Sequence, residues 1–198
     1  TRLESELSRQ TGYQDTLKAV NVRLTAEETA LKNTSDVMYR IKELATQAAN
    51  DTLSDQDRQS VALELSNLKD QVLSLANSQD SNGNYLFSGS RTGVPAFAKD
   101  ATGHVLYQGD QARMKVNVGD SRRMNLNMPG TDAYTRVVRD DGRGGKVGVD
   151  FFQSLDDLVT AVKAGDHPNM QRGIAEIDTL QNGISEGLGQ VGSDLTVV

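Results

Sequence analysis

The chain has 198 residues, of which 36% are apolar and 5% aromatic, below the roughly 45–50% apolar share of a typical globular domain. One domain with a slender core, or one domain carrying a smaller insert, is therefore expected. The net charge of −6 argues against nucleic-acid binding by the whole surface. The lack of cysteine excludes disulfides and thiolate zinc sites. No apolar run approaches the roughly 20 residues that a membrane-spanning helix needs.

An apolar stripe follows the first 48 residues in alternating steps of four and three, and only Glu27 and Thr34 interrupt it. Its members are Tyr13, Leu17, Val20, Leu24, Leu31, Met38, Ile41, Ala45 and Ala48. Leu3 and Leu7 extend the apolar marking upstream on a neighbouring face. The spacing predicts one long helix with a coiled-coil-like seam, roughly 70–75 Å in length.

A second helix is predicted to begin after Ser54, which has the side chain of an N-cap and is followed by Asp57 at the third helical position. Val61, Leu65 and Leu68 begin its apolar stripe, and the helix is expected to continue to the Asn82–Gly83 turn. Because the loop between the two helices is short, they are expected to pack antiparallel.

Residues 84–138 change to the alternation that marks half-buried strands. The predicted strands are 85–87, 105–107 and two segments around Val116 and Leu126, joined by a hairpin turn at 119–121. Three or four strands make a small sheet. The glycine-rich, charged segment 139–148 is expected to be a flexible linker.

Helical spacing returns after the linker. A helix from Phe151 is predicted to end at Ala164–Gly165, and Pro168 suits the first turn of the last helix. Glycines inside that last helix each cost about 1 kcal/mol relative to alanine. The helix therefore needs a packing partner, and the long first helix is the candidate.

These elements predict a mainly α protein with a β insert. Residues 1–90 and 148–198 are expected to form a discontinuous domain, an elongated antiparallel helical bundle or coiled-coil stalk, and residues 91–147 a small β-rich inserted domain. The predicted seam residues are Leu3, Leu7, Leu17, Leu24, Leu31, Ile177, Ile184 and Leu188. The pattern alone leaves open whether they serve only an intramolecular bundle or also contact neighbouring subunits.

The sequence offers no constellation typical of catalysis or metal binding. His104 and His167 belong to no motif with a base or a metal ligand, and the acidic residues at 51–57 lack the glycine and terminal glutamate of a calcium-binding loop. The segment 142–146 departs from a phosphate-binding loop because Val147 follows its lysine. We therefore predict no catalytic residue, no cofactor, no metal and no enzymatic activity.

Four segments resemble bacterial flagellar proteins. Residues 40–50, RIKELATQAAN, resemble the N-terminal helical region of flagellins and their relatives. Residues 82–90, NGNYLFSGS, and 105–110, VLYQGD, resemble the flagellin-like hook–filament junction proteins, the third hook-associated proteins. Residues 190–195 are similar to the flagellin-type C-terminal helix.

The resemblance implies a structural subunit that joins the hook to the filament in the extracellular flagellum after secretion by flagellar type III export. Its implied partners are copies of itself, the first hook-associated protein, flagellin and, for the full-length chain, an export chaperone. Family members carry further terminal segments, so this chain is expected to be a fragment without them and monomeric in solution. The alternatives are a flagellin filament subunit and an unrelated helical binding module or enzyme.

Overall fold

The structure, a computed structural model, describes residues 1–197; Val198, the last residue of the predicted stalk, lies outside the described residues. The helices are α1 (Arg2–Asn50), α2 (Asp55–Ala76), α3 (Phe151–Ala164) and α4 (His167–Leu195). The strands are β1 (Phe97–Lys99), β2 (Val105–Tyr107), β3 (Lys115–Asn117), β4 (Arg123–Asn125), β5 (Val137–Asp140) and β6 (Lys146–Val149). The predicted class, mainly α with a β insert, is confirmed.

The long first helix forms as predicted and runs without interruption. Thr1 caps it by accepting a hydrogen bond from the Glu4 backbone N–H, and its buried residues begin at Val20 and continue to Ala48. The N-terminal part of α1, before Val20, is mostly exposed. The helix is therefore buried along only part of its length.

Helix α2 begins where the sequence predicts, because the Ser54 hydroxyl accepts a hydrogen bond from the Asp57 backbone N–H at 3.1 Å. It ends at Ala76, earlier than the predicted Asn82–Gly83 turn. Its C-cap residue, Asn77, exchanges two hydrogen bonds with the Phe97 backbone, at 2.8 and 2.9 Å, which tie the end of the helix to β1.

The strands form three separate antiparallel hairpins in the described part of the chain, not the single small sheet that the alternation predicted. The predicted hairpin around residues 119–121 is present as β3–β4, with Val116 opposite Met124. The predicted strand 85–87 is wrong: Tyr85 forms only an isolated bridge with Gln79. Its apolar run records burial, since Leu86 and Phe87 are buried, and a short apolar run does not distinguish a strand from other buried backbone.

The expectation of a flexible linker at 139–148 is also wrong. Strands β5 and β6 occupy both ends of this segment and pair with each other, with Arg139 opposite Val147. Gly142 and Gly144 adopt positive φ angles of 77° and 82° in the tight turn between them, a conformation that glycine tolerates best. The glycines therefore form a hairpin turn.

An aromatic cluster joins the helices to the hairpins. The ring centroid of Tyr134 lies 5.8 Å from that of Phe87, 5.6 Å from that of Phe97 and 5.2 Å from that of Phe151. Phe151 opens α3 and Phe97 opens β1. The few aromatic residues of the chain are thus concentrated at this junction. Edge-to-face aromatic contacts of this kind stabilise a core beyond the area they bury.

Candidate functional site

Helices α1 and α4 lie side by side and antiparallel, and we refer to this pair as the shaft. The His167 ring nitrogen Nδ1 lies 3.2 Å from the Ala49 carbonyl oxygen, and further along α4 the Gln181 side chain donates to the Ser35 carbonyl at 3.2 Å. The two helices therefore run in opposite directions. The 29 residues of α4 span roughly 44 Å at 1.5 Å each, which is shorter than α1.

The predicted seam residues divide into three groups. Leu24, Leu31, Ile177 and Ile184 are buried. Leu17 and Leu188 are half-buried and pack against the core. Leu3 and Leu7 are 68% and 59% exposed. Their expected burial is not found, because α4 is shorter than α1 and does not cover the part of α1 that they occupy.

Small residues on α4 let the segment that follows β4 approach closely. A Cβ atom built at Gly183 would lie 2.5 Å from Thr135 Oγ1 and 3.1 Å from the Ala133 carbonyl oxygen. One at Gly187 would lie 3.0 Å from Ala133 Cβ. The GxxxG spacing of α4 thus serves close packing between a helix and a loop.

Arg23 ties α1 to the β region. Its guanidinium donates to the Leu126 carbonyl at 3.1 Å, to Asp80 at 3.3 Å and to the Tyr85 and Leu86 carbonyls at 3.4 Å. The residue is only 8% exposed. One side chain therefore joins the helix to two separate loop segments.

Arg139 anchors the β5–β6 hairpin to α3 and α4. It donates to both Glu176 carboxylate oxygens and to Asp157, at 2.7 Å in each case, and Ser154 donates to Glu176 at 2.9 Å. Burial opposes ionisation of Glu176, but the hydrogen bonds from Arg139 and Ser154 outweigh it and lower its pKa. The hydrogen bonds to Glu176 and Asp157 raise the pKa of Arg139, so Arg139 and Glu176 both stay charged.

The histidine and aspartate residues considered as candidates for catalysis or metal binding have structural positions in the fold. His104 Nδ1 lies 2.9 Å from Thr102 Oγ1 in a turn, and His167 is at the start of α4. Asp156 pairs with Lys69, and Asp157 with Arg139. Within residues 1–197 no group of three acidic or histidine side chains is placed to hold a metal ion, and no helix has the length and apolarity needed to cross a bilayer.

Comparison with known proteins gives three findings. Residues 1–92 match the family described as the bacterial flagellin N-terminal helical region. Flagellar hook-associated protein 3 of Salmonella typhimurium is 29% identical over 172 residues, which cover 85% of this chain and 54% of that protein. The flagellar junction protein FlgL of Legionella pneumophila superposes with a TM-score of 0.85 at 17% identity, covering 98% of this chain and 97% of that chain.

The resemblance to flagellin-like hook-associated proteins is confirmed. The chain spans about half the length of its Salmonella relative. A flagellin of Bacillus cereus superposes less well, with a TM-score of 0.51 at 21% identity, covering 93% of this chain and 89% of that chain. At these identities the structural likeness concerns the fold, and the fold follows the junction protein more closely than the flagellin.

Sequence reasoning did not single out Arg23, Tyr134 or Arg139, although each joins a helix to a loop or hairpin. Arg23 precedes Leu24 of the apolar stripe in α1, and its sequence context is that of an ordinary surface cation. Arg139 lies in the segment interpreted as a linker. No local pattern could have found their partners, which lie between 18 and 103 residues away along the chain.

Proposed function

We propose that this chain is a structural subunit of the bacterial flagellum that joins the hook to the flagellin filament. One observation carries the proposal: the fold matches a flagellar junction protein over nearly its whole length, with a TM-score of 0.85, against 0.51 for a flagellin. The identity to hook-associated protein 3 over 172 residues supports it independently. The flagellin filament subunit is the alternative.

The partners that go with this role are copies of the same chain, the first hook-associated protein and flagellin, together with an export chaperone for the full-length protein. The site of action is the extracellular flagellum, reached by flagellar type III export. We assign no catalytic step, because the carboxylates considered for one are engaged in structural ion pairs: Asp156 pairs with Lys69 of α2, and Asp157 with Arg139 of the β5–β6 hairpin. The isolated chain is proposed to be monomeric, and sedimentation of a stable high oligomer would contradict this.

The shaft supplies the rigidity that a junction subunit needs. Leu24 and Leu31 of α1 and Ile177 and Ile184 of α4 are buried, and burying each such side chain contributes about 1.5–3 kcal/mol. The discontinuous domain, with its strand-containing segment entering between α2 and α3, is proposed to act as one subunit. Burial thus holds the two terminal helices in a fixed relation while the outer faces stay available for contacts.

Deletion of the full-length gene tests the proposal. Cells should keep intact hooks and release unpolymerised flagellin into the medium, and a plasmid copy should restore filaments. A filament subunit behaves differently, because the purified full-length protein would polymerise into long filaments. Normal filaments in the deletion strain would refute the junction role.

The shaft's part in this role is tested by Leu24→Asp, with Leu3→Asp as its control. Placing a charge at buried Leu24 should cost more than about 3 kcal/mol of stability and abolish motility. The same change at exposed Leu3 should move the stability of the isolated chain by less than about 0.5 kcal/mol. Chemical denaturation and a swimming assay measure both effects; a motile Leu24→Asp strain with unchanged melting contradicts the prediction.

A further inference from the structure

A cavity of about 420 Å³ lies between α1, α4 and the loop segments around β4. Four acidic residues line it: Glu27 of α1, Glu186 and Asp194 of α4, and Asp132. Arg113, which also lines it, is committed to Asp132 through two hydrogen bonds of 2.5 and 3.0 Å. With Asp132 paired to Arg113, the carboxylates of Glu186 and Asp194 give the cavity a net negative charge.

Glu27 is the unusual member of this set. Its side chain is 1% exposed, and neither carboxylate oxygen has a hydrogen-bond partner among the described residues. A buried carboxylate without donors is destabilising, since the hydrogen bonds it made with water are not replaced. Glu27 therefore has unfilled acceptor positions beside a cavity.

Arg23 does not fill them. Its Nε lies 3.7 Å from Glu27 Oε1, beyond hydrogen-bond distance, and donates instead to the Leu126 carbonyl. Its other nitrogens donate to Asp80 and to the Tyr85 and Leu86 carbonyls. Burial raises the pKa of Glu27 to about 8, Arg23 opposes the rise, and Asp194 adds to it.

A cation with several N–H donors would complete this arrangement. A guanidinium group presents its donors in a planar fork that matches a carboxylate, and Glu186 and Asp194 complement its charge. A metal ion fits less well, because in the described part of the chain the acidic side chains do not converge as a ligand set of three.

We propose that this cavity is a subsite for the arginine side chain of an adjoining protein chain, with the guanidinium donating to the carboxylate of Glu27. The presence of an adjoining chain rests on the proposed assembly role, whereas the recognition chemistry rests only on the cavity. The isolated chain can therefore be tested without reference to the flagellum.

The test is an NMR titration of the ¹⁵N-labelled chain with N-acetyl-arginine amide, using the neutral N-acetyl-citrulline amide as the matched ligand control. Saturable shifts are expected for the amides of Gly187 and Val191 with the arginine compound only. Glu27→Gln should weaken binding at least tenfold. Glu28→Gln should leave it unchanged, since Glu28 pairs with Lys32 at 3.3 Å and does not line the cavity.

Affinity should also depend on pH. The guanidinium competes with the proton on Glu27, so binding should tighten by up to about tenfold per pH unit below pH 8 and level off above it. Asp194→Asn, at a partly exposed position, provides a second variant and should weaken binding severalfold without affecting folding.

Four results would overturn the proposal: equal binding of the citrulline compound, unchanged binding in Glu27→Gln and Asp194→Asn, no saturable shift, or a preference for calcium ions over the arginine compound. Binding in the isolated chain combined with normal filaments in the deletion strain would reject the junction role and keep the subsite. Loss of filaments in the deletion strain, combined with no binding of the arginine compound by the isolated chain, would support the junction role and reject the subsite.

Discussion

The hydroxyl of Thr34 and the phenol of Tyr134 lie 2.8 Å apart, and both residues are buried. Thr34 is one of the two polar residues on the apolar stripe of α1, and it donates to the Ala30 carbonyl at 2.9 Å. The Tyr134 phenol is therefore the donor to Thr34. Burial raises the pKa of this phenol, which keeps it protonated and able to donate.

This geometry makes substitution of the two partners unequal. Tyr134→Phe removes a donor while Thr34 keeps its bond to Ala30, so it should cost about 1 kcal/mol. Thr34→Val leaves the buried phenol without an acceptor and should cost about 1–3 kcal/mol. Urea denaturation measures both, with exposed Tyr39→Phe as the neutral control; a larger loss for Tyr134→Phe than for Thr34→Val would contradict the assignment of the donor.

Two glycines of α4 should respond in opposite ways to alanine. At Gly183 the new methyl group would meet Thr135 and the Ala133 carbonyl, so Gly183→Ala should destabilise by about 1–3 kcal/mol despite its better helix propensity. At Gly189 nothing lies within 4 Å of the added atom, and Gly189→Ala should stabilise by up to about 1 kcal/mol. Thermal melting of the two variants compares them directly. Stabilisation by both would show that α4 does not pack closely at Gly183.

Arg139→Ala should be strongly destabilising, because it leaves the carboxylate of Glu176, only 7% exposed, with Ser154 as its hydrogen-bond donor. Loss of one partner of a buried ion pair costs on the order of 3 kcal/mol. The pKa of Glu176 should rise in the variant, measurable by NMR titration of its side chain. Arg143→Ala, at the exposed tip of the same hairpin, is the control and should change stability little. An equal loss in both variants would point to the hairpin turn instead of the ion pair.

Glu27 predicts a pH dependence of stability. Its pKa is about 8 in the folded chain and 4.5 as a free side chain, so the folded state binds the proton more tightly. The stabilising contribution is fully present below pH 4.5 and is lost as pH rises through 8, by at most about 1.4 kcal/mol per unit. Urea denaturation between pH 5 and 9 should show this decline in the wild type and in Glu28→Gln. It should be absent in Glu27→Gln, and a parallel decline there would assign it to other groups.

The helical part of the fold could be predicted because its signals are local. The four-three stripe of α1 identified Val20, Leu24 and Leu31 as members of one face, and all three are buried. Ser54 marked the start of α2 through a hydrogen bond to a residue three positions away. A helix repeats every 3.6 residues, so neighbouring sequence is sufficient to show which side chains share a face.

The hairpins and the cross-links were harder to predict because each depends on a partner distant in the chain. The strand β1 pairs with β2 through Phe97 opposite Tyr107, yet its three residues carry no alternation of their own. The segment 139–148 has the composition of a linker, and contact of Arg139 with Glu176 and Asp157 holds it as a hairpin.

The amino-acid sequence by itself determined the two terminal amphipathic helices, the position of the strand-containing segment between them and the resemblance to flagellar proteins. The tertiary structure decided where the shaft is buried, since the length of α4 determines which part of α1 it covers and leaves Leu3 and Leu7 exposed. It also decided that Glu27, a polar interruption of a stripe, is a buried carboxylate beside a cavity. Periodicity reports which residues share a face, whereas burial and charge depend on what packs against that face.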